Sequence, residues 1–403
     1  MKILCVLSRY AYGRPERGEN YDYVHFLPAF ARMGHEVDFF DSGDRSLYRD
    51  FADLNVALVD RVAGFRPDVI FCVLMAYEIW FETLDLIRTK SPVVLVNWGT
   101  DDSWKFTQAS RFFTRHVDLH VTTDGSAAEA APSRGLHNVL LSQWATSATV
   151  ASEPLPSSSC RHDVSFVGSM YGYRAEWIAA LRANGIKVSC FGHGTENGVV
   201  SAAEIPEIHR TSRISLNFSG AGQSTGGLTD SRQIKARTFE VSGAGGFLLT
   251  EIAPGLDRYF RIGREVATFE TPTQLIEKVR YYLDHPEERD AVARAGHART
   301  MAEHTYERRI SEILEKLRPL QARRTQAWAL SAEALAPFVE QYHRKGISEP
   351  LRAFLIAMFS LPFGKMRGPR AARRFVYELS WRLCGARTYT ANGLPGRLFY
   401  AES

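Results

Sequence analysis

Short apolar runs alternate with helix-length amphipathic segments along most of the chain. No other feature narrows its fold as far. In the first part the runs are Ile3–Leu7, Glu36–Phe40, Val69–Leu74, Val93–Asn97, Leu119–Thr123 and Val139–Leu141. Compact apolar strands separated by helices imply a parallel sheet covered on both faces. The segment 145–162, ATSATVASEPLPSSSCRH, is rich in Ser, Ala and Pro and has no periodicity, which marks a domain boundary. A second series follows, with strands expected at Val164–Val167, Lys187–Phe191, Ile214–Phe218, Phe247–Leu249 and Ala267–Phe269. Helices are expected at Tyr173–Ala183, Thr273–Leu283, Pro286–Ala295 and Glu303–Leu317. The expected organisation is α/β: one Rossmann-like lobe over 1–147, a second over 163–318, and a helical extension over 319–403, part of which packs back on the first lobe.

At 403 residues, with 45% hydrophobic and 23% charged residues, the chain has room for two full cores. Its five cysteines form neither a C-x-x-C pair nor an even framework, so a reducing, cytoplasmic setting is expected. The opening MKILCVLSRY is too short for a signal-peptide core and reads as a buried strand, and no uncharged apolar run is long enough to span a bilayer. Charge is uneven: 319–403 holds 13 Lys/Arg against 5 Asp/Glu, and the rest 36 against 40. A basic tail on an acidic body suggests an anionic partner, membrane phospholipid first; no nucleic-acid partner is expected.

The chemistry concentrates after Ile214–Phe218. That strand empties into SGAGQSTGGLTDSRQ, and a helix is expected to start near Asp230 or Ser231, either of which can cap it. Free amides at a helix start, beside a thin loop carrying Gly220, Gly222, Ser224 and Thr225, favour a diphosphate. Gln233, Arg237 and Glu240 are then expected on one helical face. A guanidinium matches phosphate oxygens, and a carboxylate matches the vicinal hydroxyls of a ribose. The alternative is a solvated face with an Arg237–Glu240 pair.

The run KARTFEVSGAGGFLLT (235–250), with YYLDHPEERDAVARAG and HTYERR after it, resembles the spore-maturation (CgeB-like) branch of the group 1 glycosyltransferases. The likeness covers roughly residues 2–317 and leaves the extension uncovered. It implies a GT-B fold, two Rossmann-like lobes facing a central cleft, with a nucleotide-sugar donor held mainly by the second. It also implies that Glu240 is the ribose-binding carboxylate, with Arg237 and Lys235 beside it. DVSFVGSMYGYR (163–174) resembles the family's first strand and turn of that lobe, which leaves Gly168 and Ser169 open to the donor and lets Arg174 reach a pyrophosphate. A tight turn with a solvated Arg is the other reading. His193, between two glycines, is a donor contact or a plain loop residue. One departure stands out: related enzymes often carry a second Glu eight residues before Glu240, where this chain has Arg232.

In the first lobe, the loop SRYAYGRPERGEN (8–20) leaves the C-terminal end of the first strand, the edge at which open α/β sheets bind ligands. Arg9, Tyr10 and Tyr12 are its acceptor-side candidates. Asp101 and Asp102 end another strand on that edge, either as catalytic groups acting on an acceptor hydroxyl or as caps of a helix starting at Ser103. No bound metal is expected, and no permanently held cofactor. His304-Thr305-Tyr306 is expected to serve packing. In the extension, 369–384 (PRAARRFVYELSWRLC) sets Val376, Leu379 and Leu383 on one helical face, with Arg370, Arg374, Tyr377 and Trp381 adjoining. That stripe either lies on an anionic leaflet or packs on the protein body.

The expected activity is transfer of a sugar from a nucleoside-diphosphate sugar to a glycan, lipid-linked or protein acceptor, with retention implied by the resemblance. A non-catalytic nucleotide-sugar-binding protein and a sugar-nucleotide 2-epimerase are the alternatives on the same scaffold.

Overall fold

The structure is a computed structural model that describes residues 1–220, 232–344 and 348–402. It divides into two compact units, 1–122 with 127–140 and 313–403, and 123–126 with 141–312.

The first unit is built on six strands: β1 (Lys2–Leu7), β2 (Glu36–Asp41), β3 (Val69–Cys72), β4 (Val94–Gly99), β5 (Leu119–Thr122) and β6 (Val139–Leu141), in the order β2-β1-β3-β4-β5-β6. The pairings of β1 with β2 and β3, of β3 with β4 and of β4 with β5 are all parallel. Ile3–Leu7, Val69–Cys72 and Val94–Trp98 are buried throughout, as continuous apolar runs require when helices cover both faces. The helix Tyr21–Arg32 follows β1 and stops where Gly34 turns left-handed at φ 81°.

The extension belongs to this unit. Tyr389 and Ala391 enter the core of Phe51, Tyr77, Trp80 and Phe81, and Phe81 stacks on the Tyr389 ring at 5.4 Å. The segment Ser348–Cys384 is helical on both sides of Gly364, where φ 74° breaks it. Its halves fold back on each other: Phe359 meets Phe375 at 5.2 Å, and a Cβ on Gly368 would lie 2.2 Å from Ser360 Oγ.

The second unit holds five strands, β7 (His162–Val167), β8 (Val188–Phe191), β9 (Ser212–Asn217), β10 (Leu248–Glu251) and β11 (Ala267–Phe269), ordered β11-β10-β9-β7-β8 and parallel throughout. Strand order reverses between β7 and β9, so their C-terminal ends flank a switch point, the place where open α/β sheets take ligands. Helices Pro272–Asp284, Pro286–Glu303 and Tyr306–Ala322 follow β11. His304 ends the middle one and is buried, its Nε2 at 2.9 Å from the Tyr259 carbonyl, in the packing role expected of it.

Both units are therefore parallel-sheet α/β lobes, the first carrying the helical C-terminal region, as expected. Among the described residues, no helix is long and apolar enough to cross a membrane.

Candidate functional site

The switch point of the second sheet gathers the residues of interest. β7 exits through Gly168 and β8 through Gly192, and the two exits touch: Gly168 N–H donates to the Phe191 carbonyl at 2.7 Å, and Met170 N–H to that of His193 at 2.9 Å. Arg237 opens the helix Arg237–Gly243 and reaches over the ends of β7 and β9. Its Nη1 donates to Asn217 Oδ1 at 2.9 Å, its guanidinium lies 5.2 Å from the Phe166 ring, and a Cβ on Gly168 would stand 2.4 Å from Nη2. Only glycine admits so close an approach there. Asn217, fully buried at the end of β9, is held in turn by Thr250 Oγ1 at 2.9 Å. The guanidinium thus lies over the ends of β7 and β9, half-buried.

Glu240, one turn on, is also half-buried. It is an electrostatic neighbour of His209, whose complete burial pushes its pKa down to about 4, with Glu240 acting upward and Arg237 downward. At neutral pH Glu240 therefore has a neutral imidazole beside it. Lys235 sits two residues before the helix, half-buried.

Several expectations need correction. The helix starts at Arg237, so Gln233 precedes it and does not share its face. Nor does its start offer free amides at the first turn: Thr238 N–H donates to the Lys235 carbonyl, and those of Phe239 and Glu240 to Ala236. Anion binding here falls to side chains. Arg174 is buried, donating to the Ser169 carbonyl at 2.9 Å and to Tyr171 Oη at 2.8 Å, with Tyr171 stacked at 3.8 Å. Burial lowers its pKa, opposed chiefly by the two tyrosines. It shapes the 168–173 turn, to which its guanidinium is already bonded. Ser169 and His193 are exposed beside that turn. Gly222, Ser224 and Thr225, with the proposed caps Asp230 and Ser231, lie outside the described residues.

Sequence reasoning missed Glu251. This carboxylate ends β10 at 2% exposure and accepts from Ser219 N–H at 2.8 Å and from the Tyr173 hydroxyl. Tyr173 Oη in turn accepts from Gly220 N–H at 3.1 Å, and a Cβ on Gly220 would lie 2.7 Å from it. Burial first, then the Glu251 contact, pushes the Tyr173 phenol well above its ordinary range. Arg232, the residue that departs from the family pattern, places Nε 3.2 Å from Glu251 Oε1. A strand-end carboxylate beside a glycine loop was the available signal.

In the first unit, Asp102 follows the C-terminal end of β4. It is buried, with Oδ2 2.9 Å from His120 Nε2 and Oδ1 accepting from Ser110 Oγ at 2.6 Å. Asn97 Oδ1 takes Leu74 N–H, so its Nδ2 faces His120 Nδ1, which leaves the imidazole proton on Nε2, directed at Asp102. Burial alone would raise the Asp102 pKa, yet His120, Ser110 and Thr122 together hold it below the usual range. Asp101 occupies the cap position in a left-handed conformation, φ 54°, but its side chain makes no cap bond.

Two further groups lie near it. Lys105 is buried and donates to the Leu74 carbonyl at 2.8 Å. Asp22, in the first turn of Tyr21–Arg32, is 5% exposed, and its Oδ1 has no hydrogen-bond partner. Burial, then repulsion from Asp101, raises the Asp22 pKa to about 7 against the pull of Lys105.

The loop 8–20 is folded. Tyr10 bridges to Glu19, Ala11 N–H donates to the Gly18 carbonyl at 3.0 Å, and Arg9 pairs with Glu19 at 3.2 Å. Arg9 is therefore already engaged by a carboxylate, Tyr10 is half-buried, and Tyr12 is exposed. Among the described residues, no three His, Cys, Asp or Glu side chains come together as a metal cradle.

Residues 174–315 match the family model described as glycosyl transferase-like. No curated protein matches the chain. Among solved structures, sucrose-phosphate synthase from Thermosynechococcus elongatus superposes with a TM-score of 0.58 at 12% identity, covering 80% of this chain and 100% of that one. A glycosyltransferase from Rickettsia africae gives 0.56 at 8% identity, over 80% and 99%. The HepE protein of Anabaena in complex with UDP-glucose gives 0.54 at 12%, over 79% and 100%. At such identities the likeness shows the fold, GT-B.

Proposed function

We propose that this chain transfers a hexose from a nucleoside-diphosphate sugar to an acceptor hydroxyl on a glycan, lipid-linked or protein substrate. The observation that carries the reading is Arg237 lying over the switch point of the second sheet, tied to Asn217 and pressed against Gly168. A guanidinium there faces the diphosphate as it leaves and steadies its growing charge. Lys235 adds a second cation. Glu240 accepts hydrogen bonds from the two ribose hydroxyls, undisturbed by a charged His209. The Arg232–Glu251 pair and Tyr173 hold Ser219 and Gly220 at the same edge, which makes them positioning residues.

The 174–315 match and the GT-B likeness support a glycosyltransferase, and the UDP-glucose bound to the Anabaena protein supports a uridine donor. The run 235–250 supports the CgeB-like branch and, with it, retention at the anomeric carbon. On the acceptor side, Asp101 stays a candidate for its strained backbone, and Asp22 joins it as a carboxyl with an unpartnered oxygen.

The test is incubation with a panel of nucleotide sugars, following free nucleotide with and without added acceptors. Release of one nucleoside diphosphate that rises with acceptor is the expected result. Binding without release would favour a non-catalytic binder, and conversion of the donor sugar with no acceptor would favour an epimerase.

A further inference from the structure

The kink at Gly364 presents a surface that the transfer reaction does not use. Residues 361–367, LPFGKMR, are all exposed. Leu361 is 87% exposed, Phe363 52% and Met366 90%, three large apolar side chains at the turn of one helical hairpin. Phe354, Met358 and Phe375 continue the apolar surface along its two arms. Isolated exposed apolar residues are ordinary, but a cluster at a protruding turn marks a contact with something apolar.

Charge decides what that is. From Pro350 to Tyr377 the chain carries Arg352, Lys365, Arg367, Arg370, Arg373 and Arg374 and no Asp or Glu. Among the described residues, only Arg352 of these pairs with a carboxylate, Glu402. Arg370 is also crowded by Arg14 and Arg17 of the loop after β1, and partial burial with those like charges lowers its pKa. Like charges gathered without counter-charges are destabilising unless an anionic partner meets them. A protein partner would need an apolar pocket ringed with acids; a phospholipid leaflet offers hydrocarbon and phosphates together, the two chemistries that this turn matches.

The sequence pointed to the extension and left open whether its 369–384 stripe meets a leaflet or the protein body. Of the 369–384 stripe, Val376 is buried with Leu355, Ala372, Leu398 and Phe399, and Tyr377 Oη bonds Tyr389 Oη at 3.0 Å, while Leu379 and Leu383 are exposed. The turn before it carries the most exposed apolar side chains of the extension, Leu361 and Met366.

We infer that this hairpin docks on an anionic phospholipid leaflet, with Leu361, Phe363 and Met366 entering the interface and Lys365, Arg367 and Arg370 meeting lipid phosphates. The surface lies wholly in the first unit and goes beyond the donor reading without depending on it. Each cation near an anionic leaflet is worth about fivefold in partitioning.

The test is flotation of the full chain with vesicles of phosphatidylcholine alone or mixed equally with phosphatidylglycerol. Wild type is expected to float with the mixed vesicles, poorly with the neutral ones, and less as salt is raised. Leu361→Ser with Met366→Ser should lower partitioning at least tenfold, and Lys365→Glu with Arg367→Glu about a hundredfold or more. Melting temperature should not change in either, since all four side chains are exposed. The proposal fails if wild type ignores anionic vesicles, or if the variants bind them as well as wild type does. It fails equally if the apolar variant instead abolishes a dimer seen by sedimentation, which would assign the surface to a second copy. Nucleotide binding, measured separately, reports on the donor site and is expected to be the same in every variant.

Discussion

Arg232 and Glu251 form an ion pair in the second unit, Nε to Oε1 at 3.2 Å, with Glu251 2% exposed and the Arg232 side chain 33% exposed. The same carboxylate takes Ser219 N–H and the Tyr173 hydroxyl. A buried carboxylate with three donors has its charge compensated from several sides, so losing the carboxylate matters more than losing one partner. Glu251→Gln should cost about 2–3 kcal/mol in denaturant unfolding and speed amide exchange at Ser219 and Gly220. Arg232→Ala should cost about 1 kcal/mol or less, because the arginine is partly solvated. Equal costs would show that the pair, and not the carboxylate's wider set of bonds, holds this edge.

Gly168→Ala is the sharpest probe of the switch point. The added Cβ would stand 2.4 Å from Arg237 Nη2, so the guanidinium must leave Asn217. Nucleotide affinity should fall about tenfold or more, as in Arg237→Ala, with the circular dichroism spectrum retained. A wild-type affinity in both variants would remove the guanidinium from the site.

Asp22 should make the first unit less stable in mild base. Its folded pKa, about 7, is above the usual 3.8, so the folded state holds a proton that the unfolded state has lost between those values. Stability then falls as pH rises from about 4 to 7 and stays lower above it. Asp22→Asn removes the buried charge and should raise stability at pH 8 by on the order of 3–4 kcal/mol, with little change at pH 4. Melting curves of both proteins across that range give the comparison; parallel curves would mean that Asp22 titrates normally.

His209 works in the opposite sense. Burial holds its pKa at about 4 in the folded protein, against 6.5 when unfolded. The unfolded state therefore takes up a proton as pH falls through 6.5, and the second unit loses on the order of 3 kcal/mol by pH 4. His209→Gln should flatten that acid limb, which unfolding at pH 7, 5.5 and 4 would reveal.

Much of this molecule was legible in its sequence. All eleven expected strands form within a residue or two of their predicted limits, because short apolar runs bounded by polar turns carry a local signal, most plainly where the strand is buried on both faces. Arg237 and Gly168, which lie together in the structure, could be singled out because a strand end, a glycine and a basic residue carry local signals. Glu251 and Asp22 were not: a buried carboxylate is written with the same letter as a solvated one, and only packing tells them apart. The start of the helix at Arg237 was placed too early because Asp230 and Ser231 are good caps in isolation. In the extension, the apolar stripe of 369–384 could not show which of its residues the first unit would cover.

The central claim is that the half-buried carboxylate and guanidinium on Arg237–Gly243 bind a nucleoside diphosphate. Calorimetric titration of UDP and GDP into wild type and Glu240→Ala tests it most directly. Wild type should bind at least one of them, and the variant should lose that affinity about a hundredfold while its melting temperature without ligand stays within a degree or two. Equal affinity in the two proteins, or no binding to either, would contradict it.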